Sequence, residues 1–215
     1  MPLLMYATLI LSTLATCNAC SCQPGHPQEN FCDAHFVIRA KVLSQEVVPG
    51  EYYDKRVYNL RILKTYKGAV GLNQTKDIRP HGSKQRSLFT KAYTSVGEKE
   101  CGIKLANDTV YLLTGTISGQ KLRIGKCKWV QRWADVTPRQ RMGIRRFYGD
   151  NCDCQISPCY AESCKKLQGC RKSGNFYCSD CEWRHSYCLV NAEKSACAWR
   201  ETEEYNKCMN ELVIP

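Results

Sequence analysis

Two cysteines near the start of the chain, Cys20 and Cys22, stand out chemically because they directly follow an apolar stretch. If the chain is cleaved before Cys20, that residue carries a free α-amine as well as a sulfur. A neutral α-amine and the carbonyl oxygen of the same residue can close a five-membered chelate ring on a metal ion. The pKa of an α-amine is about 7.7–8, so part of it is unprotonated at neutral pH, and metal binding displaces the remaining proton. Cys20 could therefore fill the open coordination position of a catalytic zinc ion. The alternative is that it only anchors a frayed chain end.

Other kinds of catalytic chemistry are not indicated. The four histidines do not form the helical pair of a zinc protease, and the chain has no Gly-x-Ser-x-Gly nucleophile motif. The CSDC stretch over residues 178–181 could be a redox pair or half of a zinc site. In a secreted, cysteine-crowded segment, however, two bridging cysteines are the stronger interpretation. Nothing in the sequence therefore argues for catalysis or for a cofactor of the chain's own.

Residues 1–19 are predicted to be a signal peptide, because an apolar run precedes small residues at the −3 and −1 positions of a cleavage site after Ala19. The run is shorter than the ~20 residues that span a bilayer, and Thr before the cysteine of LATC fits a lipoprotein signal poorly. No later segment has the composition of a membrane span. We therefore expect a secreted protein of the extracellular space or matrix, and sequons at Asn73 and Asn107 suit glycosylation there.

Cysteines and charge divide the mature chain into two parts. Cleavage after Ala19 leaves 15 of the 16 cysteines, five of them spread over residues 20–151 and ten crowded into residues 152–208. This density predicts a disulfide framework, and the odd number leaves at least one cysteine free, modified or paired between chains. Residues 20–151 carry 23 Lys and Arg against 11 Asp and Glu, a net charge of +12, whereas residues 152–215 carry 8 against 9, a net charge of −1. Both shifts place a boundary near residues 149–154.

The basic half also suggests partners. Its charge is explained either by a solvated surface or by contact with acidic matrix polysaccharide or anionic membrane surfaces. Nucleic acid is not an expected partner outside the cell. The clusters over residues 125–132 and 139–146 are the predicted contributors to salt-sensitive binding of sulfated glycosaminoglycans.

The elements that must position these residues are mainly strands. Three stretches are rich in β-branched and aromatic residues, and a fourth strand follows a hairpin turn predicted at Ser118-Gly119. They cover residues 35–48, 56–66, 109–117 and 120–127. Several strands within about 120 residues favour a small closed barrel, of which the OB-fold is one candidate.

A helix is predicted to follow the barrel over residues 137–148, with Thr137 as its N-cap and Pro138 at the first helical position. Beyond it, the cysteine-rich segment has little periodicity and must depend on its disulfides.

Five stretches of the chain carry a family resemblance: CSCQPGHPQENFC (20–32), VIRAKV (37–42), YKG (66–68), CGI (101–103) and CAWR (197–200). Together they closely resemble the tissue inhibitors of metalloproteinases over essentially the whole mature chain, with a looser likeness to the wider netrin-like group. The resemblance implies a mainly β protein with short helices. An N-terminal inhibitory domain over residues 20–152 would hold a five-stranded OB-like Greek-key barrel, and residues 153–215 would form a small disulfide-rich C-terminal domain.

In that family the mature N-terminal cysteine chelates the active-site zinc of a matrix metalloproteinase through its amine and carbonyl, and the resemblance assigns this role to Cys20. The next residue, Ser21, would enter the S1′ pocket of the enzyme. The neighbouring contacts along the cleft would come from Cys22, Gln23 and Pro24 and from a ridge of Glu98, Lys99, Glu100 and Cys101. Lys99 and Glu100 depart from the small or apolar residues that are usual in the family, which would tune the choice of target.

The implied function is therefore a secreted inhibitor of zinc metalloproteinases, which is not an enzyme and binds the catalytic zinc of its target rather than a metal of its own. Matrix metalloproteinases are the expected partners, and adamalysin-type proteases are further candidates. The main alternative is a matrix-binding or signalling netrin-like module that inhibits no protease. A third interpretation is a thiol-active secreted protein that uses CSDC.

The resemblance also implies disulfide pairs. They are Cys20–Cys101, Cys22–Cys127, Cys32–Cys152, Cys154–Cys197, Cys159–Cys164 and, at shorter spacing, Cys181–Cys188. Cys170, Cys178 and Cys208 fall outside the family pattern. If Cys170 bridges Cys178, Cys208 is left over near the chain terminus, and we expect it to be free or to link two chains.

Overall fold

The fold is that of a computed structural model, which describes residues 20, 22, 25–70, 88–157, 169–172, 176–191 and 196–213. Some of the sequence predictions lie outside the described residues. They concern the signal peptide over residues 1–19, the sequon at Asn73, the disulfide Cys159–Cys164 and the predicted cleft contacts Ser21, Gln23 and Pro24.

The described part of the barrel region forms one six-stranded sheet with the order β1-β2-β3-β5-β4-β6. Its strands are β1 (Phe36–Val48), β2 (Lys55–Lys67), β3 (Leu88–Ser95), β4 (Val110–Ser118), β5 (Lys121–Arg123) and β6 (Val130–Arg132). An additional antiparallel pairing of β1 with β4 closes five of these strands into a ring, β1-β2-β3-β5-β4. The prediction of a mainly β fold with an OB-like barrel is confirmed.

Alternation along β1 explains the two apolar cores. Phe36, Ile38, Ala40 and Val42 face the barrel interior, where they pack with side chains of β2 such as Tyr58 and Leu60. Val37 points to the opposite face and joins a second apolar cluster outside the barrel. Successive side chains of a strand point to opposite faces, so the first residues of β1 are buried on both sides, whereas the residues after Val42 are exposed or half-buried.

The hairpin between β4 and β5 turns one residue later than the sequence suggests. Ser118 pairs with Lys121, so the two turn residues are Gly119 and Gln120, with φ angles of +52° and +64°. Positive φ at both positions is the pattern of a type I′ turn, which matches the twist of a hairpin. The strand after the turn ends at Arg123, short of the predicted residue 127.

Short helices flank the barrel. Helix α1 (Pro27–Asp33) precedes β1, and α2 (Pro138–Met142) follows β6 with the predicted Thr137 cap and Pro138 at its start. After α2 the chain widens into a π-helical turn (Gly143–Phe147) and ends in a 3₁₀ turn (Gly149–Asn151). A Cβ atom on Gly143 would lie 2.3 Å from Cζ of the buried Tyr148, so the close approach of this ring requires glycine.

The rest of the chain packs on the face of the barrel that carries α1 and α2. Its elements are β7 (Gln155–Ser157), β8 (Gly169–Arg171), α3 (Phe176–His185), β9 (Tyr187–Val190), β10 (Cys197–Arg200) and α4 (Glu203–Val213). β7 pairs in parallel with β8, and β9 pairs antiparallel with β10. Tyr187 of β9 belongs to the same apolar cluster as Phe31, Trp129 and Tyr148, so one buried cluster joins the barrel to the elements after residue 152.

Six disulfides connect described cysteines. They are Cys20–Cys101, Cys22–Cys127, Cys32–Cys152, Cys154–Cys197, Cys170–Cys188 and Cys181–Cys208. The first four are pairs that the resemblance implied.

The remaining two disulfides correct the sequence analysis. The predicted Cys181–Cys188 pair is wrong, because Cys188 bridges Cys170 in a small cluster with Cys154 and Ile156, whereas Cys181 lies on α3 and bridges Cys208 on α4. The alternative Cys170–Cys178 bridge is therefore also wrong. Cys208 is neither free nor available to link two chains.

Among the described residues, no helix is both long enough and apolar enough to cross a membrane.

Candidate functional site

Two adjacent disulfides hold the beginning of the described chain against the barrel. Cys20 is bonded to Cys101 and Cys22 to Cys127, with Cα–Cα distances of 5.2 and 5.3 Å. The four sulfur atoms all lie within 4.8 Å of one another. Since each sulfur is part of a disulfide, none is the thiolate that a cysteine must offer to ligate a metal. This cluster therefore fixes the position of the chain rather than forming a sulfur-ligated metal centre.

The barrel topology explains why Cys101 and Cys127 lie together. β3 and β5 are parallel neighbours, with Ala92 opposite Leu122. The loops that leave these two strands therefore emerge at the same end of the barrel. A hydrogen bond joins the loops, because the Lys126 N–H donates to the Cys101 carbonyl oxygen over 2.9 Å. The parallel pair thus brings two cysteines that are 26 residues apart in the sequence to one spot.

A tight turn presents the residues before Cys101. The Cys101 N–H donates to the Glu98 carbonyl oxygen, and the Gly102 N–H donates to the Gly97 carbonyl oxygen. Cys101 itself has a φ of +59°, a left-handed conformation that non-glycine residues seldom adopt. The side chains of Glu98, Lys99 and Glu100 are exposed at this turn. We call residues 97–101, together with Cys20 and Cys22, the inhibitory edge, after the role that the family resemblance implies for them.

Two grooves border the inhibitory edge, and both are lined by several Lys and Arg side chains. One groove of about 250 Å³ lies beside Glu100 and contains Lys55, Arg123 and Lys128. The other, of about 620 Å³, is lined by Glu98 and Asp135 and by Lys104, Lys126, Lys128 and Arg132. The basic residues of the predicted cluster 125–132 thus lie beside the inhibitory edge.

Of the residues that the sequence analysis assigned to the site, the structure brings together Cys20, Cys22, Glu98, Lys99, Glu100 and Cys101. Ser21, Gln23 and Pro24 lie outside the described residues. Asn107 is exposed at a turn before β4, as a glycan acceptor must be.

The sequence analysis missed His26, which begins α1 behind the inhibitory edge. The Gln28 N–H donates to its Nδ1 over 3.2 Å, so Nε2 carries the proton and donates to the Glu182 carbonyl oxygen over 3.2 Å. Burial lowers the pKa of His26 from 6.5 to about 3, and Lys172 acts in the same direction. Pro27 at the first helical position and Glu29, which accepts the His26 N–H, complete a capping box that the PQE sequence could have indicated.

Gln28 is the second residue that the sequence analysis missed. Its buried amide donates to the carbonyl oxygens of Asn151 and Cys188 over 2.9 and 2.7 Å, and it accepts the Cys188 N–H over 3.0 Å. A single side chain therefore satisfies backbone groups on both sides of residue 152. No local pattern in the sequence signals such a long-range contact.

Comparison with known proteins finds relatives that match most of the chain. The family model described as "Tissue inhibitor of metalloproteinase" matches residues 18–199. A Gallus gallus protein named metalloproteinase inhibitor 3 is 32% identical over 187 residues, which are 84% of this chain and 81% of the relative. Metalloproteinase inhibitor 4 of Mus musculus is 37% identical over 154 residues, 68% of this chain and 62% of the relative. A Drosophila melanogaster protein named tissue inhibitor of metalloproteinase is 28% identical over 211 residues, 90% of this chain and 87% of the relative.

Proposed function

This chain belongs to the family of tissue inhibitors of metalloproteinase, and on that premise we propose that it inhibits zinc metalloproteinases by occupying their catalytic clefts. It is an inhibitor rather than an enzyme. The observation that carries the proposal is the placement of Cys20, which its disulfide to Cys101 holds beside the exposed turn of Glu98, Lys99 and Glu100. A terminus fixed in this way can enter a cleft without a large cost of ordering.

The proposed mechanism is chelation of the target's zinc by the α-amine and carbonyl oxygen of Cys20, once cleavage after Ala19 has exposed that amine. Because the sulfur of Cys20 is in a disulfide, the amine and carbonyl remain as its ligand atoms. Ser21 would fill the S1′ pocket, and Cys22, Gln23 and Pro24 would follow the cleft. The ridge from Glu98 to Cys101 would contact the enzyme beside them.

The same proposal covers the organisation and location of the protein. Residues 20–152 are proposed to be the inhibitory domain and residues 153–215 a C-terminal domain. Secretion into the extracellular space or matrix agrees with the six disulfides among described cysteines, since such bonds persist in oxidising compartments. Matrix metalloproteinases are the proposed partners, with adamalysin-type proteases as further targets, and Asn73 and Asn107 are proposed glycan acceptors.

The test is to block the amine of Cys20 without disturbing the fold. One alanine added before Cys20 turns the amine into an amide, a far poorer ligand, and crowds the zinc. Acetylation of the Cys20 amine removes the lone pair with less added bulk, so the two changes separate bonding from crowding. Both should abolish inhibition of a purified matrix metalloproteinase, while circular dichroism shows a native fold. Near-native inhibition by the extended, folded protein would favour the binding-module alternative instead.

A second binding function, for sulfated glycosaminoglycans, is favoured by a groove of about 510 Å³ on the barrel surface. It is lined by Arg39, Lys64, Thr65, Tyr66, Ile144 and Arg145, and no acidic residue is among these. Such a cationic groove fits a polyanion, whose binding weakens as the Debye length falls from ~10 Å at 0.1 M salt to ~3 Å at 1 M.

The groove is tested by charge reversal. Lys64→Glu and Arg145→Glu should each elute earlier from heparin than the native protein, because both side chains are exposed in the groove. Lys121→Glu is the matched control, since it makes the same change of charge at an exposed position on β5 outside the groove. Equal elution of all three variants would show that only net charge matters.

A further inference from the structure

The chain just behind the inhibitory edge is held by elements that lie after residue 152. The Trp183 Nε1–H on α3 donates to the Gly25 carbonyl oxygen over 3.2 Å. One residue further, His26 Nε2 donates to the Glu182 carbonyl oxygen of the same helix. Gly25 is three residues from Cys22, a stretch that spans at most about 11 Å of extended chain. These contacts therefore act very close to the zinc-binding end.

Three more contacts hold the start of α1 from the same side. Gln28 exchanges a pair of hydrogen bonds with the backbone of Cys188 on β9, at 2.7 and 3.0 Å. The Lys172 ammonium lies 2.7 Å from a Glu29 carboxylate oxygen, and both side chains are about three-quarters buried. The Trp199 ring also packs on the His26 ring with centroids 5.1 Å apart. Gly25, His26, Gln28 and Glu29 are thus each held by the part of the chain after residue 152, through α3, β9, β10 and Lys172, which directly follows β8.

The two ends of the segment over residues 20–29 are therefore fixed by different parts of the molecule. The disulfides of Cys20 and Cys22 attach one end to the barrel loops. The contacts of residues 25–29 attach the other end to the elements after residue 152. If the second attachment loosens, the direction in which the chain leaves Cys22 is no longer fixed.

We propose that the elements after residue 152 position the zinc-binding terminus, with Trp183 as the principal positioning residue and Glu182, Cys188 and Lys172 in support. This inference rests on the proposed inhibitory function. It gives the C-terminal part of the chain a direct share in cleft binding: its contacts order residues 25–29 in the free protein, so that less conformational entropy is lost when the terminus enters the enzyme. In this proposal Trp183 is a positioning residue that acts through residues 25–29.

The principal test is Trp183→Phe, which keeps an aromatic ring beside Trp129 but removes the N–H that binds the Gly25 carbonyl oxygen. The matched control is Tyr187→Phe, which also removes one hydrogen bond from the elements after residue 152, but one to the Arg139 carbonyl oxygen on α2 rather than to residues 25–29. Loss of one such bond corresponds to a rise of about fivefold in the inhibition constant for a matrix metalloproteinase. We expect this rise for Trp183→Phe and a change below twofold for Tyr187→Phe.

Amide hydrogen exchange separates positioning from general stability. In Trp183→Phe, the amides of Gln28 and Asn30, which bond to His26, should exchange faster while amides of the barrel strands keep their protection. A merely structural role would instead lower protection throughout and leave inhibition unchanged. If Trp183→Phe does not fold, Lys172→Met repeats the test, since it removes the Glu29 ion pair without leaving a large cavity.

The outcomes are distinguishable. Weaker inhibition with locally faster exchange supports the proposal, and unchanged inhibition by both Trp183→Phe and Lys172→Met overturns it. If the native protein inhibits no metalloproteinase, the proposed function is wrong, and the C-terminal elements then have no role in inhibition. In that event, the exchange data alone decide whether the C-terminal elements hold residues 25–29.

Discussion

Replacing His26 by asparagine should make the free energy of unfolding depend less on pH under acid conditions. The imidazole is buried, its Nδ1 caps α1, and its Nε2–H donates to the Glu182 carbonyl oxygen. Burial is the main reason that its pKa falls from 6.5 to about 3. The hydrogen bond to the Glu182 carbonyl raises the pKa, and the charge of Lys172 lowers it further. Asparagine is a good N-cap residue that does not titrate. The variant therefore keeps the cap and removes the proton-binding group.

The sign of the effect follows from proton linkage. The folded-state pKa lies below the unfolded value, so unfolding takes up a proton once the pH is below 6.5, and stability falls from there towards pH 3. Each pH unit in this window costs about 1.36 kcal/mol. At pH 4.5, two units below 6.5, the native protein should have lost about 2.7 kcal/mol to His26 relative to pH 8.

The assay is urea unfolding at a series of pH values with the disulfides intact. At pH 8 the variant should be less stable by about 1–3 kcal/mol, because it loses the hydrogen bond to the Glu182 carbonyl oxygen, to which Ser186 still donates, and the contact of the imidazole with the Trp199 ring. Between pH 8 and pH 4.5 the stability difference between the two proteins should shift by about 2.7 kcal/mol in favour of the variant. The pKa of His185 is also lowered, chiefly by burial, but this residue is present in both proteins and cancels in the difference. Parallel curves from pH 8 to pH 4.5 would refute the assignment of a neutral, buried His26.

Three further predictions concern disulfides, packing and target choice. Peptide mapping should find Cys181 linked to Cys208, and the double variant Cys181→Ser/Cys208→Ser should lose about 3 kcal/mol of stability and remain monomeric; a Cys208 bridge between chains on non-reducing gels would contradict this. Gly143→Ala should cost about 2–3 kcal/mol in urea unfolding because the new Cβ meets the Tyr148 ring, whereas Gly149→Ala, 3.7 Å from Phe31, should be near neutral; equal effects would be evidence against the clash. Glu100→Val should tighten inhibition of enzymes with apolar cleft walls about tenfold, since an exposed carboxylate is no longer desolvated on binding, and an unchanged inhibition constant across several enzymes would place Glu100 outside the interface.

The barrel was largely predictable because its strands carry their own signals. Dense β-branched and aromatic residues mark β1, β2 and β4, and Thr137-Pro138 marks the start of α2. β3 (Leu88–Ser95) was not predicted, since only Ala92 and Thr94 along it are buried and its polar residues hide the pattern. The helix over 137–148 was predicted at its start but not in its π-helical continuation, which accompanies the packing of Tyr148 on Gly143.

Residues of the candidate site could be predicted only where their spacing in the sequence or the family resemblance indicated them. Cys20 and Cys22 attract attention by position alone, whereas their partners follow from the resemblance and, physically, from the parallel pairing of β3 with β5. Cys181 and Cys188 are close in sequence, and this closeness favours a disulfide between them. Sequence proximity says little here, because Cys181 lies on a helix that packs against α4 and Cys188 lies on a strand beside Cys170.

The basic clusters show a similar limit, because charge in the sequence only partly predicts the surface that can bind a polyanion. The cluster over residues 139–146 appears in the sequence as four arginines free to bind a polyanion, yet two of them are engaged within the protein. Arg139 lies 2.6 Å from Glu204 in an ion pair, and Arg141 donates to the Trp133 carbonyl oxygen over 2.6 Å while lying 4.7 Å from the centre of that ring. Arg145 is left exposed in the groove, where Arg39 of β1 and Lys64 of β2 join it from about 80 to 105 residues earlier in the chain. A run of like charges in the sequence therefore overestimates the surface available for binding, because some of its side chains are engaged in tertiary contacts. The groove also contains basic residues from distant parts of the sequence, which no local pattern connects to the run.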